Sequence, residues 1–218
     1  MNVREMLRAY FVAGSQDFKQ ATNRPQALLD CLEQALKCGL TCYQFREKGA
    51  GALQHRDDIM HLAKAAQALC QRYHVPFFID DDLQLALTLH ADGIHVGQGD
   101  MPILELIARV QGRMLVGLST HNIAQFSAAN TISGIDYCGF GPIFPTQSKP
   151  DADPAVGVEA IRAVRAAGLE KPMVAIGGIR SEDAVTIRAA GADGVAVISA
   201  IAQSGDVPRT LAQLLATK

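Results

Sequence analysis

Charge is scarce in this chain, and an excess of either sign is absent. Of its 218 residues 19% are charged, the formal net charge is −2, and the lysines and arginines form no block. Nucleic acid therefore finds no basic stripe, and any anionic ligand must be held by a few locally placed cations. Cysteines are few: Cys31, Cys38, Cys42, Cys70 and Cys138 make no Cys-x-x-Cys motif, and their odd number speaks against a secreted disulfide framework. They are expected to be reduced thiols, with Cys38 and Cys42 packing at a helix-to-strand junction rather than ligating a metal. Long hydrophobic runs are missing as well. The first apolar run, 9–13, is too brief for a secretory core or a membrane span, so no membrane partner and a cytoplasmic location are expected. No low-complexity or linker segment divides the chain, and one domain over 1–218 is expected.

What is present is a regular alternation of short apolar runs with longer amphipathic stretches, the pattern of βα units closing on a parallel sheet. Eight strands are predicted, at 9–13, 41–45, 76–80, 93–96, 115–118, 137–140, 173–176 and 194–198. The length suits a (β/α)8 TIM barrel with parallel strands, which takes roughly 200 to 250 residues. Asn122 and Ser181 stand where helix N-caps are needed, Pro102 fits a first helical position, and Gly39, Gly168 and Gly191 fit helix ends. Ala91-Asp92-Gly93-Ile94 recurs as Ala192-Asp193-Gly194-Val195, an echo placed at two strand entries. The stretch 145–156, rich in Pro and Asp, is longer than a connection requires and reads as a mobile substrate loop.

In such a barrel the chemistry belongs at the strand C-termini. After the second strand, period-two alternation sends Gln44, Arg46 and Lys48 to one side and Phe45 to the other. A guanidinium and an ammonium at one mouth suit a diphosphate, although a surface ion pair with Glu47 is the plainer alternative. Asp80-Asp81-Asp82 after the third strand and Asp100 after the fourth converge as the outline of a magnesium site, with Asp81 and Asp100 sufficient as ligands. Asp82 is expected to cap the helix that follows it, and His95 to be a hydrogen-bonded barrel residue. Thr146, Ser148 and Lys149 can bind or stabilise a phosphate, or simply decorate a solvated loop. Gly177-Gly178 and Ser199 occupy the loops after strands seven and eight, where this fold recurrently binds phosphate. Two anionic substrates, one with a metal-bound diphosphate, are the chemistry these groups imply.

The chain closely resembles the thiamine phosphate synthase family from about Tyr10 to the last helix. The resemblance rests on Gln44-Phe45-Arg46-Glu47-Lys48, Asp80-Asp81, His95-Val96-Gly97-Gln98-Gly99-Asp100, Gly117-Leu118-Ser119, the run Gly141 to Lys149, Ala175-Ile176-Gly177-Gly178-Ile179 and Val197-Ile198-Ser199. It implies a transferase that condenses 4-amino-2-methyl-5-(diphosphooxymethyl)pyrimidine with 4-methyl-5-(2-phosphooxyethyl)thiazole, giving thiamine phosphate and pyrophosphate by a dissociative substitution with Mg²⁺. By the same resemblance Gln44, Phe45, Arg46, Glu47, Lys48, Asp80, Ser119 and Lys149 contact the pyrimidine diphosphate, and Asp81 and Asp100 hold Mg²⁺. Thr146, Gln147, Ser148, Gly178, Ile198 and Ser199 contact the thiazole phosphate. Arg46, Lys48, Ser119 and Lys149 would assist the chemistry, and a homodimer is a weak implication.

Asp80 departs from the family pattern, which usually has Asn there. A second carboxylate beside Asp81 repels a diphosphate, since like charges about 4 Å apart cost roughly 4 kcal/mol at an effective dielectric near 20. Asp80 must join the metal shell, pair with Arg46 or Lys48, or stay protonated. Two rivals stand beside the synthase reading: a related thiazole tautomerase using His121, and a silent phosphate-binding barrel.

Overall fold

A computed structural model describes residues 2–146 and 153–217. Eight parallel strands follow one another around a closed barrel: β1 (Ala9–Ala13), β2 (Cys42–Phe45), β3 (Phe77–Asp80), β4 (Gly93–Val96), β5 (Leu115–Thr120), β6 (Tyr137–Phe140), β7 (Met173–Ile176) and β8 (Gly194–Val197). The ring shuts where Ala9, Tyr10 and Phe11 pair with Val195, Ala196 and Val197. A short α1 (Val3–Met6) precedes β1, and α2 (Arg24–Lys37), α3 (Arg56–Arg72), α4 (Leu83–Leu89), α5 (Ile103–Val110), α6 (Ile123–Thr131), α7 (Val158–Ala166) and α8 (Ala184–Ala189) separate the strands in turn. The chain continues through α9 (Ser199–Ala202) and α10 (Val207–Leu215).

Alternation along the strands divides the apolar side chains into two cores. Phe11, Tyr43, Phe45, Phe77, Ile79, Ile94, Phe140 and Val197 point outward against the helices. Tyr10, Cys42, Phe78, Tyr137, Val174 and Ala196 fill the interior, which Met6 and Leu7 close from below. Buried on both faces, the strands are held at their entries by a device repeated four times. Thr41 Oγ1 accepts from Ala9 N at 2.8 Å, Asp92 from Phe77 N at 2.9 Å, Asp136 from Val116 N at 2.7 Å and Asp193 from Met173 N at 2.8 Å. Each residue stands just before an even-numbered strand and ties the start of the odd-numbered one preceding it. The Ala-Asp-Gly echo is two of these four ties.

The strand predictions hold with small shifts. β2 and β3 start one residue later than expected, β8 stops at Val197 because Ile198 (φ −108, ψ −79) already turns toward α9, and β5 runs on to pair Ser119 with Gly139 and Thr120 with Phe140. Asn122 caps α6 through Gln125 N, and Asp82 caps α4 through Leu85 N. Gly39, Gly168 and Gly191 all have positive φ just past a helix. Two expectations fail. Pro102 is the N-cap of α5 rather than its first helical residue: its ψ of 127° is extended, while its carbonyl already accepts from Leu106 N. Ser181 opens a 3-10 turn (Ser181–Asp183) instead of capping it; Asp183 accepts the Arg180 amide, and the Ser181 hydroxyl donates to Gln213.

Candidate active site

The strand C-termini open into a cavity of about 550 Å³, continuous through shared walls with an outer cleft of about 790 Å³. Arg46, Lys48, Thr146, Gly178, Ile198 and Ser199 line both. Gln44, Asp80, Asp81, His95, Asp100 and Ser119 line the inner cavity.

The floor of the inner cavity is polar and nearly sealed. Gln44 Nε2 donates to the Tyr10 hydroxyl at 2.9 Å, and the hydroxyls of Tyr10 and Tyr137 are 3.0 Å apart. Tyr137 meets His95 Nδ1 at 3.0 Å, and His95 Nε2 meets Ser119 Oγ at 2.9 Å. Glycines make this possible. A Cβ on Gly117 would collide with the rings of both Tyr137 and His95, and one on Gly93 with Phe78. Gln98 Nε2 holds the Ser119 carbonyl at 2.6 Å.

Above that floor lie the charges. Arg46, only 9% exposed, extends Nε to within 3.2 Å of Asp80 Oδ2, so Asp80 pairs with Arg46 rather than competing for the mouth. Lys48 Nζ lies 2.5 Å from Asp81 Oδ2 and 3.7 Å from Asp100 Oδ1. Asp81 adopts φ +58, a left-handed conformation open to Asp at small cost, with its amide donating to the His95 carbonyl. Burial, then the charge of Asp80, push its carboxyl up to about 7 against the pull of Lys48, and it hydrogen-bonds with Asp100. Asp100 Oδ2 in turn accepts from Gly97 N at 2.7 Å. Two carboxylates this close, facing a cavity, form a donor set that suits a hard divalent cation, which needs only one or two from protein. Among the described residues no group of three or more His, Cys, Asp or Glu forms a fuller metal cage.

The opposite rim is built from backbone. Gly177 (φ +87) and Gly178 (φ +66) follow β7, and a Cβ on Gly178 would strike the carbonyls of Phe144 and Pro145. The chain after β6 is bonded here, Ile143 N to Ile176 O and Phe144 N to Gly177 O. Exposed amides and the Ser199 hydroxyl can therefore approach an anion closely. His121 Nδ1 sits 2.7 Å from the Gly141 carbonyl and 3.5 Å from Asp153 Oδ2 at the cavity edge.

The structure thus brings Gln44, Arg46, Lys48, Asp80, Asp81, Asp100, Ser119, Thr146, Gly178, Ile198 and Ser199 to one opening. Phe45 is buried on the outer face of the barrel wall. Glu47 turns away from the cavity and accepts from Ser15 N, Ser15 Oγ and Leu53 N, bracing the loops after β1 and β2; Arg46 makes its ion pair with Asp80, not with Glu47. Gln147, Ser148 and Lys149 lie outside the described residues, as does the middle of the expected substrate loop. Three contributors escaped the sequence reading. Tyr10 and Tyr137 read as apolar strand residues, though their inward register was a usable signal, and Gln16, whose Nε2 holds the Arg46 carbonyl at 2.7 Å, carried none.

The profile of one family, thiamine monophosphate synthase, matches residues 9–201. The thiamine-phosphate synthase of Pasteurella multocida (strain Pm70) is 50% identical over 214 residues, covering 98% of this chain and 97% of that protein. That of Listeria innocua is 47% identical over 212 residues, with 97% of each chain covered. Among solved structures, thiamine phosphate pyrophosphorylase from Pyrococcus furiosus superposes with a TM-score of 0.79 at 30% identity, over 98% of this chain and 96% of that one. The (S)-3-O-geranylgeranylglyceryl phosphate synthase of Thermoplasma acidophilum, TM-score 0.68 at 17% identity, shares the fold.

Proposed function

The chain belongs to the thiamine monophosphate synthase family and is a transferase of thiamine biosynthesis that forms thiamine phosphate; from that premise we propose how its residues divide the work. The observation that carries the reading is that one cavity is lined by Arg46, Lys48 and the carboxylates as well as by Gly178 and Ser199, two groups that we read as separate anion sites. The first receives 4-amino-2-methyl-5-(diphosphooxymethyl)pyrimidine, its ring over Gln44 and Ser119. The second receives the phosphate of 4-methyl-5-(2-phosphooxyethyl)thiazole, with Thr146, Gln147, Ser148 and Ile198 along it.

Asp81 and Asp100 would hold Mg²⁺, and the raised carboxyl of Asp81 supports the fit, because a cation relieves the crowding of charge there. Bound there, the ion would neutralise diphosphate charge. Arg46, Lys48 and Lys149 neutralise it as well. When the carbon–oxygen bond to the pyrimidine methylene breaks, the electron pair leaves with pyrophosphate and these side-chain cations stabilise it. The remaining methylene cation is stabilised by the ring amine. The thiazole nitrogen, oriented by its phosphate at Gly178 and Ser199, gives its lone pair to the new carbon–nitrogen bond. No side-chain nucleophile is required. Phe45 and Glu47 contribute indirectly, by holding the strand that carries Gln44 and Arg46. The five cysteines, free among the described residues, fit a cytoplasmic location, and among those residues no helix is long and apolar enough to cross a membrane.

Purified protein, both substrates and Mg²⁺ should yield thiamine phosphate and pyrophosphate in equal amounts. Absence of product sinks the reading. Asp100→Ala and Lys149→Ala are each expected to lower kcat by roughly 10²-fold or more, the cost of removing one preorganised charge partner.

A further inference from the structure

The last rung between β1 and β2 pairs Ala13 with Phe45, and just beyond it Arg46 N donates to Ala13 O at 3.0 Å. There β2 ends, yet the carbonyl of Arg46 is held as firmly as its amide. It lies against Gly14, where a Cβ would strike it, and it accepts from Gln16 Nε2 at 2.7 Å. The same nitrogen donates to Asp17 Oδ2 at 2.9 Å, and that carboxylate oxygen also accepts from Gly14 N at 3.0 Å. A carbonyl can only accept, so the nitrogen end of the Gln16 amide must face Arg46. Gln16 Oε1 is left buried with no hydrogen-bond partner among the described residues. A buried polar atom without a partner is uncommon and calls for an explanation, which the bond to Arg46 supplies. On the far side of the same peptide unit, Glu47 accepts from Ser15 N, Ser15 Oγ and Leu53 N. The backbone that carries the Arg46 side chain is thus clamped by the loop after β1, and the guanidinium extends from it toward Asp80 at the cavity wall.

We propose that Gln16 is a positioning residue for the diphosphate side of the site: by holding the Arg46 carbonyl it fixes where the guanidinium meets the diphosphate. A charge partner displaced by about an ångström loses much of what its preorganisation contributes. Gln16 borders the outer cleft but is only 6% exposed, and it acts through Arg46 rather than on the reacting atoms. The inference rests on the reading that Arg46 receives the diphosphate.

The test is Gln16→Met in the full chain, which fills a similar volume and offers no N–H. KM for the pyrimidine diphosphate should rise roughly fivefold, KM for the thiazole phosphate should stay unchanged, and pyrophosphate, measured by calorimetry with Mg²⁺ present, should bind roughly fivefold more weakly. KM does not depend on the amount of active enzyme, so partial unfolding does not imitate this split. Gln16→Asn, whose shorter amide falls short of the carbonyl, should act in the same direction. Unchanged values in both variants, or an equal rise in the two KM values, overturn the proposal. Arg46→Ala combined with Asp80→Asn, which leaves no unpaired buried charge, separates the two layers. Pyrophosphate affinity untouched by that pair overturns the placement of the diphosphate together with the inference, whereas a loss there alongside silent Gln16 variants overturns the inference alone. Adding Gln16→Met to the pair should weaken pyrophosphate binding no further; an additional loss would mean that Gln16 acts independently of Arg46, and overturns its role as a positioning residue.

Discussion

Asp80 is the residue whose meaning changed most between sequence and structure. The Asp80-Asp81-Asp82 run does not reveal which carboxylate meets which cation, because that depends on how three successive side chains fan out after β3. In space they go three ways: Asp80 to Arg46, Asp81 to Lys48 and Asp100, and Asp82 to the N-cap of α4 and to Arg56. Asp80 and Arg46 are both buried, so removing one charge leaves the other uncompensated. Asn at 80 removes the charge that faces Arg46 and frees the guanidinium's charge for the diphosphate. Asp80→Asn is therefore expected to lower KM for the pyrimidine diphosphate by about threefold and the thermal midpoint by about 2–4 °C, the equivalent of about 1 kcal/mol in a chain of this size. Steady-state kinetics and a melting curve check both; a rise in KM would mean that Asp80 itself serves the substrate. Cations and carboxylates at strand ends were legible one by one, since the barrel assigns them to one rim. Their pairing was not, being a matter of ångströms across strands.

At the scale of elements, the strands were legible nearly to the residue, because a strand buried on both faces reads as a short, largely apolar run. The errors fall at helix starts, where Pro102 and Ser181 each fit two adjacent positions and only the carbonyl that begins the ladder decides. The four ties at the strand entries make a stability prediction. Asp136→Ala removes the acceptor of Val116 N, a charge-assisted bond, and should destabilise the fold by about 1.5–3 kcal/mol, measured by urea titration, with kcat unchanged because the tie is at the far end from the cavity. The loop after β7 makes a functional one. Gly178→Ala forces a side chain into the carbonyls of Phe144 and Pro145 at φ +66, so the rim must open. KM for the thiazole phosphate is expected to rise about tenfold or more, and that for the pyrimidine diphosphate much less. Equal effects on both would show that the two sites are not separate.

At the scale of the whole molecule, burial keeps the thiols of the core unreactive. Cys42, Cys70 and Cys138 are buried, and desolvation pushes Cys138 up to about 12 and the half-buried Cys31 up to about 11. A thiol-specific reagent should modify no more than Cys31 and Cys38 in the native protein and all five after denaturation. Rapid native labelling of a third thiol would show that the wall between the two cores opens.

The line of buried hydroxyls also makes the barrel its own optical reporter. The sequence contains no tryptophan and four tyrosines, and two of the four, Tyr10 and Tyr137, lie directly beneath the cavity. With no indole to drain their excitation, their ultraviolet emission is not masked, and it responds to whatever alters the hydrogen bonds of Gln44 and Ser119 above them. Occupancy of the pyrimidine pocket is thus open to measurement by intrinsic fluorescence, without a dye or an engineered probe.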